Sequence, residues 1–322
     1  MTVGEIIADI KADMVPFAVT DQTESVKKIL WAKKVFFLDT CFITKSFHIP
    51  DINMIFKAFE LLADGKETEK IVFVLTDLVI YELKDSSANV LQKNNRDFLV
   101  DMQGYGFTIV TLNEERIKDV IDTYISRNNE DWNREFVSWL RNSIALLTYL
   151  GNAIKEASSF PYHNILDEGF PVPKDESFIR ETIASIKNEK HSKDSLAEEL
   201  LCISFFFLFE VACLSGKSEY CFCSADLSAI SRLRKAVEAH PKKLTTNAIQ
   251  IFTLLKYMID KKIMTDKAEV VTTLKKISGG CIHAVIYKGS PYSSEYVELT
   301  PEDTAEIMFA GENITFTGKV YK

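Results

Sequence analysis

Short uninterrupted apolar runs alternate with amphipathic stretches along most of the chain. Val35-Phe36-Phe37-Leu38, Ile71–Leu75, Phe107–Thr111, Glu219–Cys223 and Ala248–Phe252 are too short for helices and rich in β-branched or aromatic residues. Runs of this length predict strands buried on both faces. The segments between them carry helical spacing instead. Asp51–Asp64 places Ile52, Ile55, Phe56, Phe59 and Leu62 on one side, and Glu24–Ala32 does the same with Val26, Ile29 and Leu30. Further helices are expected from Asp77–Leu78 onward, over Arg96–Gln103, from Asn113 as a cap to about Ser126, and over Ser195–Ser215 and Leu227–Ala239. Strand and helix in alternation predict a parallel sheet with right-handed crossovers. The expected fold class is therefore α/β, a three-layer parallel-sheet Rossmannoid domain.

The rhythm breaks in one place. Between about Asn128 and Lys190 no strand pattern occurs, and two helices are expected, near Asp131–Ser158 and Glu176–Asn188, around a breaker cluster of Pro161, Gly169, Pro171 and Pro173. This reads as a helical insertion that covers or narrows a site. After a helix from about Leu254 to Lys262 the pattern changes again. Asp266–Ile277 and Pro301–Phe309 read as helices, Cys281–Tyr287 and Ile314–Val320 as strands. The expected division is a helical lead-in over 1–34, the α/β domain over 35–262 with its insertion at about 128–190, and a small α+β appendage over 263–322.

Acidic residues stand where strands should hand over to loops or helices. Asp39 closes the first run, Asp226 follows the fourth, Glu82 lies beyond the second, and Asp194 precedes the long helix, with Glu198 one turn further on. Ligands of an open α/β sheet bind outside the carboxyl ends of its strands. Carboxylates gathered there repel one another unless a divalent cation neutralises them. Phosphodiester hydrolysis needs an activated water, charge neutralisation at phosphorus and a stabilised leaving oxygen. Two divalent ions about 4 Å apart supply all three. Hard oxygen donors suit Mg²⁺ or Mn²⁺. The hydroxyls of Thr40 and Ser224 are placed to orient a ligand, a water or a phosphate.

These blocks resemble those of PIN-domain nucleases. The resemblance rests on Phe36-Phe37-Leu38-Asp39-Thr40, on Leu78-Val79-Ile80-Tyr81-Glu82-Leu83, on the acid of the following helix, Asp194 or Glu198, and on Ser224-Ala225-Asp226. It covers roughly Val35 to Lys262, and Ser228 stands where the family often has a further Asp. The resemblance implies a PIN-like fold and a metal-dependent nuclease with Asp39, Glu82, Asp194 and Asp226 as catalytic carboxylates, Glu198 assisting as a metal ligand. It implies hydrolysis leaving a 5′-phosphate and a 3′-hydroxyl, of RNA in preference to DNA. Two alternatives stand beside it: a catalytically degenerate PIN-like module that binds RNA or protein, and a DNA-cutting flap-endonuclease relative.

Composition narrows the picture further. The 322 residues are 47% hydrophobic and 26% charged, with a net charge of −8, an ordinary globular balance. An acidic chain binds nucleic acid only through local basic patches. Arg232, Arg234 and Lys235, just after Asp226, are the candidate phosphate contacts, with Lys84, Lys93, Lys242 and Lys243 behind them. The six cysteines form no Cys-x-x-Cys pair and read as reduced buried thiols. The five histidines form no ligand pair at helical spacing. Gly216-Lys217-Ser218 lacks the earlier glycine of a phosphate loop. The early charges Glu5, Asp9, Lys11 and Asp13 are unlike a secretory leader. The apolar run Leu200–Leu214 is shorter than a bilayer span. A cytoplasmic protein is expected, without membrane contact, and a regulatory protein partner or a homo-oligomer is compatible with the insertion and appendage.

Overall fold

Five parallel strands form the central sheet: β1 (Lys34–Leu38), β2 (Ile71–Thr76), β3 (Thr108–Leu112), β4 (Glu219–Ser224) and β5 (Asn247–Gln250). The computed structural model describes residues 1–65, 67–156, 164–191, 194–215, 219–239, 246–287 and 293–317. The strand order is β3-β2-β1-β4-β5. The chain thus leaves β1 in one direction through β2 and β3, then returns to the other side of β1 for β4 and β5. That reversal opens a crevice at the carboxyl ends of β1 and β4, where α/β sheets place their ligands.

Helices cover both faces of the sheet, and two adjacent phenylalanines of β1 show why. Successive side chains of a strand point to opposite faces. Phe36 meets Phe73 at 5.1 Å and Phe59 of the helix Ile52–Leu62 at 4.7 Å between ring centroids. Phe37 meets Phe205 of the helix Leu196–Ser215 at 4.5 Å, and Phe205 also packs on Phe222 at 4.2 Å. The helix Leu196–Ser215 is buried almost all round, as its apolar sequence requires. It has the insertion on its outer side, where Trp132 and Phe136 reach Phe207 and Trp139 reaches Phe206. The result is an α/β, Rossmann-like arrangement of three layers. Among the described residues no helix is long and apolar enough to cross a membrane.

The insertion differs in detail from the sequence expectation. The first of its two expected helices is two, Asn129–Ser143 and Thr148–Glu156. The chain folds back there because Gly151 lets the second helix approach: a Cβ at this position would lie 2.7 Å from Cγ1 of Ile144. The second expected helix is Phe178–Asn188. A short helix that the periodicity does not reveal, Thr40–Ser46, follows β1 directly. The helix expected to Ser126 stops at Ile121 after a 3₁₀ turn over Glu114–Arg116.

The appendage is a three-stranded antiparallel sheet, β6 (Ile282–Tyr287), β7 (Ser294–Leu299) and β8 (Ile314–Phe316), in the order β7-β6-β8, with the helices Lys267–Ser278 and Pro301–Phe309. β7 was not expected because its side chains are mostly exposed and its apolar content is low. Phe252 on Phe316 and Lys45 donating to the Ile277 carbonyl at 3.0 Å join the appendage to the α/β body.

Candidate metal centre

β1 and β4 are adjacent, with Leu38 opposite Cys223, and the pairing continues as the Asp39 N–H donates to the Cys223 carbonyl at 2.9 Å. Asp39 is the residue before the helix Thr40–Ser46, yet its side chain makes no capping hydrogen bond. The carboxylate turns into the crevice instead, where it is buried. The Ser224 hydroxyl donates to Asp39 Oδ2 at 2.7 Å, and the Cys41 thiol donates to the same oxygen. Ser224 Oγ also accepts the Asp226 N–H at 3.0 Å, and Cys41 Sγ accepts the Ala225 N–H at 3.1 Å. These bonds fix the two strand ends to each other. Asp226 caps the helix Leu227–Glu238 through Oδ1, which accepts from Ser228 and Ala229.

Two further acids close on this pair. Glu82 is the last residue of the helix Asp77–Glu82, and its Oε2 accepts the Thr40 hydroxyl at 2.6 Å. Glu198, in the first turn of the helix Leu196–Ser215, brings a carboxylate oxygen into a group with Asp39 and Cys41 whose donor atoms all lie within 4.8 Å of one another. Glu198 Oε2 is shut off from solvent without a hydrogen-bond donor. Burial, then the nearby charges of Asp39, Asp226 and Glu82, push the Glu198 carboxyl up to about 8. Burial likewise raises Asp39, with Glu82 adding to the effect and the Cys41 and Ser224 hydrogen bonds opposing it. Asp39, Glu82, Glu198 and Asp226 therefore feel one another's charge across a single crevice.

Asp194 is a correction. Its carboxylate accepts the backbone N–H groups of His191 at 2.6 Å and Leu196 at 3.1 Å and pairs with the Lys190 ammonium. It ties Lys190 and His191 to the start of the long helix, where Asp is well suited. Of the two acids proposed for the third block, Glu198 enters the crevice beside Asp39 and Asp194 stands behind Glu82. Arg232 is a second correction. Rather than facing a phosphate, it pairs with Glu199 at 3.3 Å and approaches Glu198 at 4.0 Å, and Glu199 in turn accepts the Leu150 N–H at 2.7 Å. Arg234 is exposed and pairs with Glu238 one turn away at 3.6 Å, and Lys235 is exposed beside it. Lys84 lies over the Tyr81 ring. Lys242, Lys243, His163, His240 and the Gly216-Lys217-Ser218 segment lie outside the described residues.

Three members of the site carried no sequence signal as such. Cys41 reads as one more buried thiol, and Glu199 as a neighbour of Glu198. Lys190 is the third. Its ammonium reaches Glu82 Oε1 at 2.7 Å, the Asp194 carboxylate and, at 3.0 Å, the Asp194 carbonyl, with a side chain only 3% exposed. Burial opposes its charge, but Glu82 and Asp194 outweigh that and raise its pKa.

No protein-family model, curated protein or solved structure matches the chain. What the crevice does is therefore argued from its own residues. Buried carboxylates on adjoining elements, one with an oxygen lacking any donor, fit a divalent cation. The Asp39 and Glu198 carboxylates and the Cys41 thiol stand at ligand spacing from one another, Asp226 acts on Glu198 through its charge, and the thiol widens the choice toward softer ions.

Proposed function

We propose that the chain is a metal-dependent phosphodiester hydrolase of the PIN-like type, an endoribonuclease working with Mg²⁺ or Mn²⁺. The reading is carried by one observation: Asp39, Glu82, Glu198 and Asp226 converge at the switch point of the parallel sheet, crowded enough to hold Glu198 at about 8. A divalent ion bound by Asp39, Glu198 and Asp226 would neutralise phosphoryl charge and acidify a water. The protein's own part is orientation. Ser224 and Cys41 hold Asp39 by one oxygen and leave its charge directed into the crevice. Thr40 holds Glu82 in the same manner from the other side. The insertion borders the site through Leu150, bonded to Glu199, and Lys190, bonded to Glu82. The choice of RNA over DNA follows the likeness of the sequence blocks to PIN nucleases, and a matched DNA strand in the same assay separates the two.

The test uses purified protein and end-labelled RNA with Mn²⁺ or Mg²⁺, beside Asp39→Asn and Asp226→Asn. Cleavage should fall by more than about 100-fold in each variant, because groups that merely orient a metal ligand are already worth about 10- to 100-fold. Equal cutting by all three proteins would overturn the reading. A second reading, a module that binds RNA or protein without cutting, draws on Lys190 and Arg232, which already neutralise part of the pocket. Mn²⁺ binding that Asp39→Asn abolishes favours the hydrolase, and absence of binding favours the module.

A further inference from the structure

The carboxylates of the crevice fall into two groups with different company. On one side Asp39 and Asp226 have hydroxyl, thiol and backbone donors, and among the described residues Arg232 lies 4.0 Å from Glu198 and is bonded to Glu199. On the other side Glu82 and Asp194 share the Lys190 ammonium. An ammonium group has three N–H donors. Those of Lys190 meet three acceptors: Glu82 Oε1, Asp194 Oδ1 and the Asp194 carbonyl. The group is thus saturated and nearly sealed from solvent.

Its position is rigid for a further reason. Lys190 follows the helix Phe178–Asn188, whose Lys187 is anchored in the buried carboxylates Asp77 at 3.0 Å and Glu114 at 3.4 Å, and in Glu115 at 2.8 Å. The insertion is therefore nailed to the carboxyl ends of β2 and β3, three residues before Lys190. A two-metal hydrolase places its ions about 3.5–4 Å apart, each sharing carboxylates with the other. Here the acid that would serve a second ion, Glu82, has one oxygen on Lys190 and the other on Thr40.

We infer that the crevice takes one divalent cation, at Asp39, Glu198 and Asp226, and that Lys190 stands permanently in the place of a second. This deepens the metal-dependent reading above and rests on it. With all three donors engaged, Lys190 acts as a fixed charge that holds one oxygen of Glu82 and bars another ion. It is a positioning residue and makes no direct contact with phosphate.

The experiment is a calorimetric titration of the metal-free protein with MnCl₂, followed by electron paramagnetic resonance of the loaded protein. Wild type should bind one Mn²⁺ per chain and give the spectrum of an isolated ion. Lys190→Met should bind a second Mn²⁺ through the freed Glu82 and Asp194, whereas Lys190→Arg, which keeps the charge, should stay at one. Two ions in wild type, or an exchange-coupled spectrum, would overturn the inference and leave the metal centre standing. So would a single ion in a folded Lys190→Met protein. No binding in wild type would overturn the metal centre itself. Should Lys190→Met fail to fold, the wild-type stoichiometry and spectrum still decide.

Discussion

Two clusters of buried charge stand at the same end of the sheet and are built on opposite terms. The first lies beyond β2 and β3. There Asp77, Glu114 and Glu115 meet Lys187, and Asp77 also meets Lys11 from the helix Val3–Met14. Burial works against the charge on Asp77, but Lys187 and Lys11 outweigh it and hold its carboxyl below the ordinary value. Burial raises Glu114 in spite of Lys187. Three carboxylates thus meet two ammonium groups, and burial disfavours the charge on one of the three. The second cluster lies beyond β1 and β4. Among the described residues it gathers Asp39, Glu82, Asp194, Glu198, Glu199 and Asp226 around Lys190 and Arg232. One end of a sheet thus carries a cluster in which acids and ammonium groups nearly match and another in which acids far outnumber the described cations. The first pins the lead-in and insertion helices in place. The second is where the proposed cation would bind.

The largest effect that tests this contrast is on stability. Lys187→Met leaves Asp77 and Glu115 facing a buried gap. Removing one partner of a buried pair costs about 3–5 kcal/mol. Urea unfolding should register a loss of that order, and a loss below about 1 kcal/mol would show that the network is solvated rather than structural. Pairing Lys187→Met with Asp77→Asn should recover part of it, because the stranded charge is then removed as well.

The acid-rich cluster should respond with the opposite sign. Glu198 is raised from 4.5 to about 8 in the folded protein. A carboxyl whose folded pKa is raised stabilises the fold fully below its unfolded pKa, and that contribution is lost as pH rises through the folded value. Thermal melts in chelator should therefore show falling stability from about pH 5 to about pH 9. Glu198→Gln should flatten that slope and melt higher than wild type at the alkaline end. Mn²⁺ should restore wild type there, since a cation relieves the repulsion that a proton relieves at lower pH. A chelated wild type whose melting is indifferent to pH would mean that the crevice acids do not crowd one another.

The contrast also explains what was legible in the sequence. The first four strands of the sheet were readable because they are buried along almost their whole length and so are largely apolar, whereas β5, expected over Ala248–Phe252, is partly exposed and lies at Asn247–Gln250. Asp39 and Asp226 were readable because strand ends at a switch point are fixed by topology. The acid on the long helix was not, because Asp194 and Glu198 both suit a helix start, and only the direction of the side chains separates a cap from a ligand. Lys190 was invisible because its partner Glu82 lies on a different element more than a hundred positions earlier. Arg232 looked like a phosphate contact from its place after Asp226, and its pairing with Glu199 depends on how the long helix packs against its own. β7 escaped because an exposed strand has no apolar run to betray it.

The smallest effect belongs to a charge in neither cluster. Lys235 is exposed on the helix that Asp226 caps, nine residues along it. At 1.5 Å per residue it stands about 13 Å from the carboxylates, far enough to meet a phosphate beyond the one being cut. A solvated lysine of this kind contributes to RNA affinity without touching fold or metal. Lys235→Ala should change stability by less than about 0.5 kcal/mol and leave Mn²⁺ stoichiometry as it is. Binding to single-stranded RNA should weaken evenly across sequences, and the slope of log affinity against log salt should fall by about 0.7, the value for one phosphate contact on a single strand. An unchanged slope would remove Lys235 from the RNA path.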